Sequence, residues 1–508
     1  MTPVPVLSII TWAPFGGALL IMFTARHRPL AVRLIAAVST GISTACSLWI
    51  FFTYDRDAAG FQFYEKLSLV PPLGIAYELG VDGMSLLMVL LTSVIILAGV
   101  FASWTLTVRS QEFYALLLAL VTGVYGVFVS LDLFILFLFY ELAVLPMYLL
   151  IGIWGSTAEV RPRGIFAWAY HATGVGTKEY AAMKLTLYLL FGSAFILVGI
   201  FALYVNGGNA SFSFLEAEAA GFDPIVQRWV FLAFYVGFGI LAGIWPLHTW
   251  SPDGHASAPT AVSMLHAGVL MKLGAYGVVR LGMGLLPDGA IEWAFLVGTI
   301  ACINIVYGAL AAMAQTDLKY VIAYSSVSHM GFVMLGAATL TEPGLDGSVF
   351  QMFAHGIMTG LFFALVGLVY EKAHSREIFR MGGFGRTMPG IATAFTIAGL
   401  SSLGLPATAG FVGEFLTFLG AWRSAHPWWL VPAVAGTLLT AVYILRVTRQ
   451  IFWGPESREF HRLSDASGPE WVALAILSFV LVVFGMLPAV AVGPVDTAVV
   501  PLLLRLIR

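Results

Sequence analysis

Cysteine is nearly absent from this sequence, with only Cys46 and Cys302 in 508 residues. Both lie in apolar stretches without a C-x-x-C neighbour, which argues against disulfide frameworks, zinc sites and cysteine-held iron–sulfur clusters. Charge is scarce as well, at 10% of residues, and 25 basic side chains nearly balance 27 acidic ones with no long run of either sign. That leaves no basic surface for nucleic acid. No glycine-rich loop of the phosphate-cradling kind occurs either. What the chain has instead is apolar surface: 59% of residues are hydrophobic and the mean hydropathy is +0.91. A bilayer-crossing helix needs about 20 mostly apolar residues, so this composition describes an integral membrane protein with no room for a sizeable soluble domain.

Windows of about 19 residues predict fourteen spans, near 5–25, 31–54, 81–106, 111–129, 131–153, 180–206, 227–249, 256–281, 290–313, 319–340, 347–370, 388–421, 427–452 and 469–491. The first is expected to be a retained helix, because it lacks the basic region and small-residue cleavage site of a removable signal. Fifteen of the 25 basic residues, from Arg26 to Arg462, follow odd-numbered spans. Only Arg56, Lys66, Arg228, Arg280 and Arg423 follow even-numbered ones. The positive-inside rule then puts the odd connections in the cytoplasm and both termini outside.

Three basic residues, Lys184, Lys272 and Arg446, fall inside predicted spans, as do the acids Glu141 and Glu414. A charge at mid-bilayer costs at least about 2.5–3.5 kcal/mol on insertion scales and usually marks an ion or proton path. Glu141 stands alone in LFLFYELAVLPMYLL, Lys184 in AAMKLTLYLLFGSAF, and SMLHAGVLMKLGAYG brings His266 and Lys272 six residues apart. Buried lysine and glutamate respond oppositely to desolvation, so a water-linked row of Glu141, Lys184, Lys272, His329, His355 and Glu414 is a candidate proton route, with His266 the weaker member. A single histidine of this kind often does no more than bond a carbonyl.

Two spans read as broken. The seventh carries Gly237, Gly239, Gly243 and Pro246, and the twelfth carries Gly404, Pro406, Gly410 and Gly413. Broken helices are tolerated at membrane depth only where they border protein or a watery cavity. In matching positions of two halves they suggest inverted repeats with the transport site at the breaks. The expected organisation is an all-α integral membrane fold of 1–106 (helices 1–3), 111–281 (first repeat, helices 4–8), 290–452 (second, inverted repeat, helices 9–13) and 469–508 (helix 14 and tail).

The segments LGVDGMSLLMVLLT (80–93), ELAVLPMYLLIGIWG (141–155), PLHTWSPDGHASAPTAVS (246–263), TDLKYVIAYSSVSHMGF (316–332) and GLPATAGFVGEF (404–415) resemble the M-subunit family of respiratory complex I, the NADH:quinone oxidoreductase, whose mitochondrial counterpart is subunit 4. The resemblance runs in consistent order from about residue 70 to 455. It implies fourteen helices in two inverted five-helix repeats and a proton-translocating, antiporter-like role. By the same resemblance Glu141, Lys184, Lys272 and Glu414 match the family's functional residues. It places NADH, FMN, iron–sulfur clusters and quinone on partner subunits, leaves this chain without a cofactor, and gives it L-, N- and K-like membrane-arm neighbours in a bacterial inner membrane.

One departure stands out. The family places a lysine five residues before the proline of its PLH motif, paired with the glutamate of helix five, whereas this chain has Leu241. The connection before the sixth span, with Tyr170 and His171, also looks longer than the family's. Both features suggest a divergent paralogue. The alternatives are a subunit of a multi-subunit sodium/proton antiporter and a non-pumping structural spacer.

Overall fold

The computed structural model describes residues 4–24, 28–58, 60–157, 174–208, 210–456, 458–460 and 463–507. The predicted Tyr170 and His171 lie outside the described residues. The chain is a multi-pass helical bundle. Its helices are α1 (Val6–Thr24), α2 (Pro29–Thr53), α3 (Gly83–Ala102), α4 (Ser110–Val129), α5 (Leu133–Trp154), α6 (Lys178–Asn206), α7 (Pro224–Ala242), α8 (Trp250–Ser257) and α9 (Thr260–Met283). They continue as α10 (Pro287–Ala314), α11 (Leu318–Ala338), α12 (Glu342–Ala373), α13 (Pro389–Ser402), α14 (Ala409–Arg423), α15 (Pro427–Phe452), α16 (Gly468–Met486) and α17 (Ala489–Leu506).

Among the described residues fourteen helices are long and apolar enough to cross a membrane, the number predicted, but the set differs. The twelfth span is two pieces, α13 and α14, each too short to cross alone, and α17 is a separate helix where a tail was expected. The contacts of α17 show that it lies across helix ends. Thr497 Oγ1 is 3.0 Å from Tyr54 Oη, just past α2. Pro494 O sits where a Cβ on Gly83, the first residue of α3, would stand. Arg505 pairs with Glu218 in the connection after α6 and reaches Gly284 O just past α9. All four partners belong to one end of the bundle, so the crossings are α1–α7, α9–α12, the pair α13/α14, α15 and α16.

That same end carries the one departure from an all-helical chain among the described residues. Strands β1 (Gln62–Val70) and β2 (Ile75–Val81) form an antiparallel hairpin, turned by Pro71, Pro72 and a left-handed Gly74. Glu65 accepts the Leu7 amide of α1 at 2.8 Å, and Asp132, the cap of α5, accepts the Ala76 amide at 2.9 Å. The hairpin is thereby tied to the starts of two helices. The short gap at 130–132 between α4 and α5 is real, since Asp132 accepts from the Phe134 and Ile135 amides as an N-cap.

The two predicted breaks are present. Helix α7 ends at Ala242 with Gly243 at φ +73°, and α13 ends at Ser402 with Gly404 at φ +71°. Left-handed backbone at these positions favours glycine, while Pro246 and Pro406 in the linkers prevent the helix from continuing. The exposed backbone groups find partners inside the protein. Trp250 Nε1 donates to Ile240 O at 2.9 Å, the Trp245 amide donates to Asn304 Oδ1 at 2.9 Å, and the Gly410 amide donates to Ser401 Oγ at 3.2 Å. The first piece of the seventh span therefore ends earlier than predicted, and its second piece, α8, occupies residues that sequence reading placed in the connection between spans seven and eight and at the start of span eight.

Candidate functional site

Lys272 sits on α9 just after a π turn over His266–Leu270. Such wide turns occur mostly as single-turn bulges, often at functional sites. The Lys272 ammonium, fully buried, donates to Ala267 O at 2.5 Å and lies 2.8 Å from Nδ1 of His355 on α12. The His355 ring stacks on that of His329 of α11, with centroids 5.2 Å apart. His329 Nδ1 is 3.5 Å from Glu414 Oε1 on α14, and its Nε2 is 3.1 Å from Ser402 Oγ at the end of α13. Glu414 Oε2 accepts from Thr437 of α15 at 3.0 Å. Four of the predicted residues are thus joined across four helices, all 2% exposed or less. Imidazole suits this position because one ring nitrogen can receive a proton while the other gives one up.

The first half of the predicted row is not joined to it in this way. Lys184 of α6 pairs with Asp253 of α8 at 2.8 Å, not with Glu141. The other Asp253 oxygen accepts from Tyr320 of α11 at 3.0 Å. The aspartate lies in the first turn of α8, where a negative charge is favoured by the helix dipole. The opposite end of α8 is held by two cations. Lys319, 3% exposed, donates to Ala258 O at 2.7 Å, and Arg376 donates to Ala256 O at 2.7 Å while pairing with Asp317 at 3.1 Å. Lys319, read from sequence as a loop residue, belongs to the first turn of α11, and Arg280, read likewise, lies inside α9 and pairs with Asp82.

His266 packs between the two groups. Its ring lies 4.0 Å from that of His255 and 5.1 Å from that of Trp250, and neither ring nitrogen has a hydrogen-bond partner among the described residues. The carbonyl-bonding role open to a single membrane histidine is not the one it plays. Glu141 stands apart. It is half-buried on α5, has Ser193 of α6 as its hydrogen-bonding neighbour, and takes part in none of the ion pairs among the described residues. Leu241 is fully buried on α7.

Sequence reading missed Asp253, His255, Lys319, Tyr320 and Ser402, and also Gln351 of α12, whose Nε2 lies 3.5 Å from His329 Nδ1. Asp253 had a signal: an acid between Pro252 and Gly254 in a motif already singled out, which only the broken helix explains.

Residues 130–440 match the family model described as NADH:quinone oxidoreductase/Mrp antiporter, TM. The chain belongs to this family. It is 36% identical over 507 residues to NADH-quinone oxidoreductase subunit M of Rhodobacter capsulatus, covering 96% of this chain and 95% of that one. It is equally 36% identical over 456 residues to NAD(P)H-quinone oxidoreductase chain 4 1 of a Nostoc species, with 88% and 81% covered. Among solved structures, a chain of respiratory complex I from Thermus thermophilus with bound NADH superposes with a TM-score of 0.85 at 27% identity, covering 98% and 99% of the two chains. A chain of the Mrp complex from Dietzia sp. shares the fold, with a TM-score of 0.82 at 21% identity. Within this NADH:quinone oxidoreductase/Mrp family, the connected row and the two broken helices come from the family-matched segment, since Lys272, His329, His355 and Glu414 all fall in 130–440.

Proposed function

We propose that this chain is a proton-translocating membrane-arm subunit of an NADH-quinone oxidoreductase, moving protons through buried side chains in response to redox chemistry on partner subunits. The observation that carries the reading is the Lys272–His355–His329–Glu414 row. A buried amine, two imidazoles and a carboxyl within hydrogen-bond or stacking distance can exchange a proton by small movements, because a proton held by one basic group disfavours a second on the next and the carboxylate at the end attracts it. The Lys184–Asp253 pair is the second proton-handling element. It lies beside the break of the seventh span, as the row lies beside the break of the twelfth, and the two halves are proposed to be inverted repeats. NADH, FMN, iron–sulfur clusters and quinone are assigned to the partners and none to this chain.

Glu141 supports a place beside other subunits. Leu138 and Leu145, three residues before and four after it, are 49% and 55% exposed, so its face of α5 points out of the bundle. A carboxyl facing hydrocarbon is costly, and an adjoining membrane-arm subunit, of the L-, N- or K-like kind, would cover it. The hairpin end is proposed to face the periplasm of a bacterial inner membrane, with both termini on that side.

The test is to purify the complex through a tag on this chain, reconstitute it, and measure NADH:quinone oxidoreduction with proton uptake. Redox-driven proton transport that Lys272→Met abolishes is expected. Co-purification with sodium/proton exchange activity and no oxidoreductase would establish the antiporter reading instead, and unaltered pumping in Lys272→Met would establish the spacer.

A further inference from the structure

Arg446, one of the three basic residues inside the predicted spans, takes no part in the row or in the Lys184–Asp253 pair. It is an exposed residue of α15, six residues before that helix ends at Phe452. Its Nη2 donates to Met313 O at 2.7 Å, in the last turn of α10. Helix α10 begins just after Gly284 at the hairpin end, so this contact lies at the opposite end of the bundle. It satisfies one of the carbonyls that a helix end leaves open and holds the guanidinium beside the crevice between α10 and α15. Arg449, three residues on and therefore on the same face, is exposed as well. Neither arginine takes part in any ion pair among the described residues. Two guanidiniums on an outward helix face without a countercharge are costly in a membrane.

Their surroundings have the other parts of a lipid site. The two arginines line a groove of about 540 Å³ with Leu445, Gln450, Ile378 and Phe379, and no acidic residue among those described borders it. Phe379 and Trp453, the latter next to the groove residue Gly454, are both exposed, and aromatic side chains of this kind mark the headgroup level of a bilayer. Deeper along α10, Leu310, Tyr307 and Ile303 follow Met313 at helical spacing and face outward. They line a second, apolar groove of about 420 Å³ against Trp428 and Pro432 at the start of α15. Met313 and Ile303 are ten residues apart, about 15 Å along a helix and so half of a hydrocarbon core about 30 Å thick. On α15 the exposed Leu438, Val442 and Leu445 form a stripe that ends on Arg449. Cationic groups thus sit at the rim of an apolar crevice about one leaflet deep.

We propose that the groove of Arg446 and Arg449 binds an anionic phospholipid, with its phosphate between the two guanidiniums and an acyl chain along the crevice of α10 and α15. The planar fork of arginine matches phosphate oxygens with paired hydrogen bonds. A free phosphate would meet the charges but leave the crevice uncovered, so the lipid is the occupant that fits the whole surface. In the orientation proposed above, this end faces the cytoplasmic leaflet, whose anionic lipids are drawn to basic pockets between membrane helices. The site is separate from the row and does not depend on proton conduction.

The test uses the assembled complex with the photo-crosslinking residue p-benzoylphenylalanine in place of Val442, one turn deeper than Arg446. The complex is reconstituted in phosphatidylcholine vesicles containing a minor share of phosphatidylglycerol, and lipid adducts on this chain are identified by mass spectrometry. We expect phosphatidylglycerol adducts several-fold above that lipid's share of the bilayer. Arg449→Gln, which leaves the bond from Arg446 to α10 in place, should lower the enrichment. Arg446→Gln together with Arg449→Gln should abolish it, while phosphatidylcholine adducts persist and show that the face is still folded and in contact with lipid. Adducts in simple proportion to the bilayer with both arginines present would overturn the proposal, as would enrichment that survives in the double variant. Crosslinking to a partner subunit would also overturn it, by making this face an interface between proteins. So would loss of the enrichment on adding inorganic phosphate at constant ionic strength, which would make the arginines a site for a free anion.

Discussion

The two halves of the bundle hold their buried charges differently. In the first half Lys184 and Asp253 form a direct ion pair at 2.8 Å, with the side chains 19% and 20% exposed. In the second half Glu414 has no such cation. It faces a histidine at 3.5 Å and a threonine hydroxyl at 3.0 Å, wholly inside the protein. An ion pair fixes both charge states and has to be loosened before a proton can leave. A carboxyl beside stacked imidazoles can change charge where it stands. The first arrangement suits a switch and the second a conduit, whose first joint is the contact of Lys272 with His355.

Breaking that joint is expected to have the largest effect. Lys272→Met preserves length and apolar packing but removes the charge and leaves His355 Nδ1 without its partner, a loss of about 1–3 kcal/mol for a buried polar group. The complex should assemble and pumping should fall to background, measured as dye quenching in proteoliposomes driven by NADH. Asp253→Asn comes next. It keeps the hydrogen bond from Tyr320 and removes the countercharge of Lys184, so pumping should drop several-fold with the quinone reductase rate falling alongside. Because both partners are about one-fifth exposed, water can take over part of the solvation, and assembly should be preserved. Loss of assembly in Asp253→Asn would show that the pair is structural.

Glu141→Gln is expected to be milder than either, because Glu141 makes no ion pair among the described residues and its face of α5 points outward. A two-fold reduction or less in pumping, with normal assembly, would agree with its standing outside the connected row. A loss as deep as that of Lys272→Met would show that a neighbouring subunit completes a route through it.

The spans and both breaks were legible in the sequence, because a 20-residue apolar run and a Gly–Pro interruption are local signals. Partnership was not. Lys184 and Asp253 are 69 residues apart in sequence and meet only because the broken seventh span turns back as α8. The hairpin escaped notice because 62–81 mixes charged, aromatic and apolar residues without clean alternation, although the Pro71–Pro72 pair marked its turn. Helix α17 was hidden by Pro494 and Pro501, which read as helix breakers, and Lys319 was hidden by lying two residues after the cap Asp317, where sequence reading ends a loop. The members of the second half of the row were legible as mid-span residues, but their order was not: sequence reading put His329 before His355, whereas the fold places His355 between Lys272 and His329. The first half failed because nothing local told Lys184 to prefer a partner other than Glu141.

The smallest effect, and the sharpest comparison, comes from the glycines at the two breaks. Gly243 and Gly404 have nearly equal positive φ values, +73° and +71°, so alanine at either position should incur a similar backbone penalty of about 1–2 kcal/mol. What the new methyl meets differs. At Gly243 it would stand 2.6 Å from Met271 Cε, the end of a flexible side chain that can swing aside. At Gly404 it would stand 2.8 Å from Glu414 Oε2, the oxygen that accepts from Thr437. Both variants should therefore lower the thermal stability of the purified complex to a similar degree, while only Gly404→Ala displaces the carboxyl of the row and lowers protons pumped per electron. Equal pumping in the two variants would mean that the position of Glu414 tolerates such a shift, and that the second half owes its conduction to the histidines more than to the carboxyl at its end.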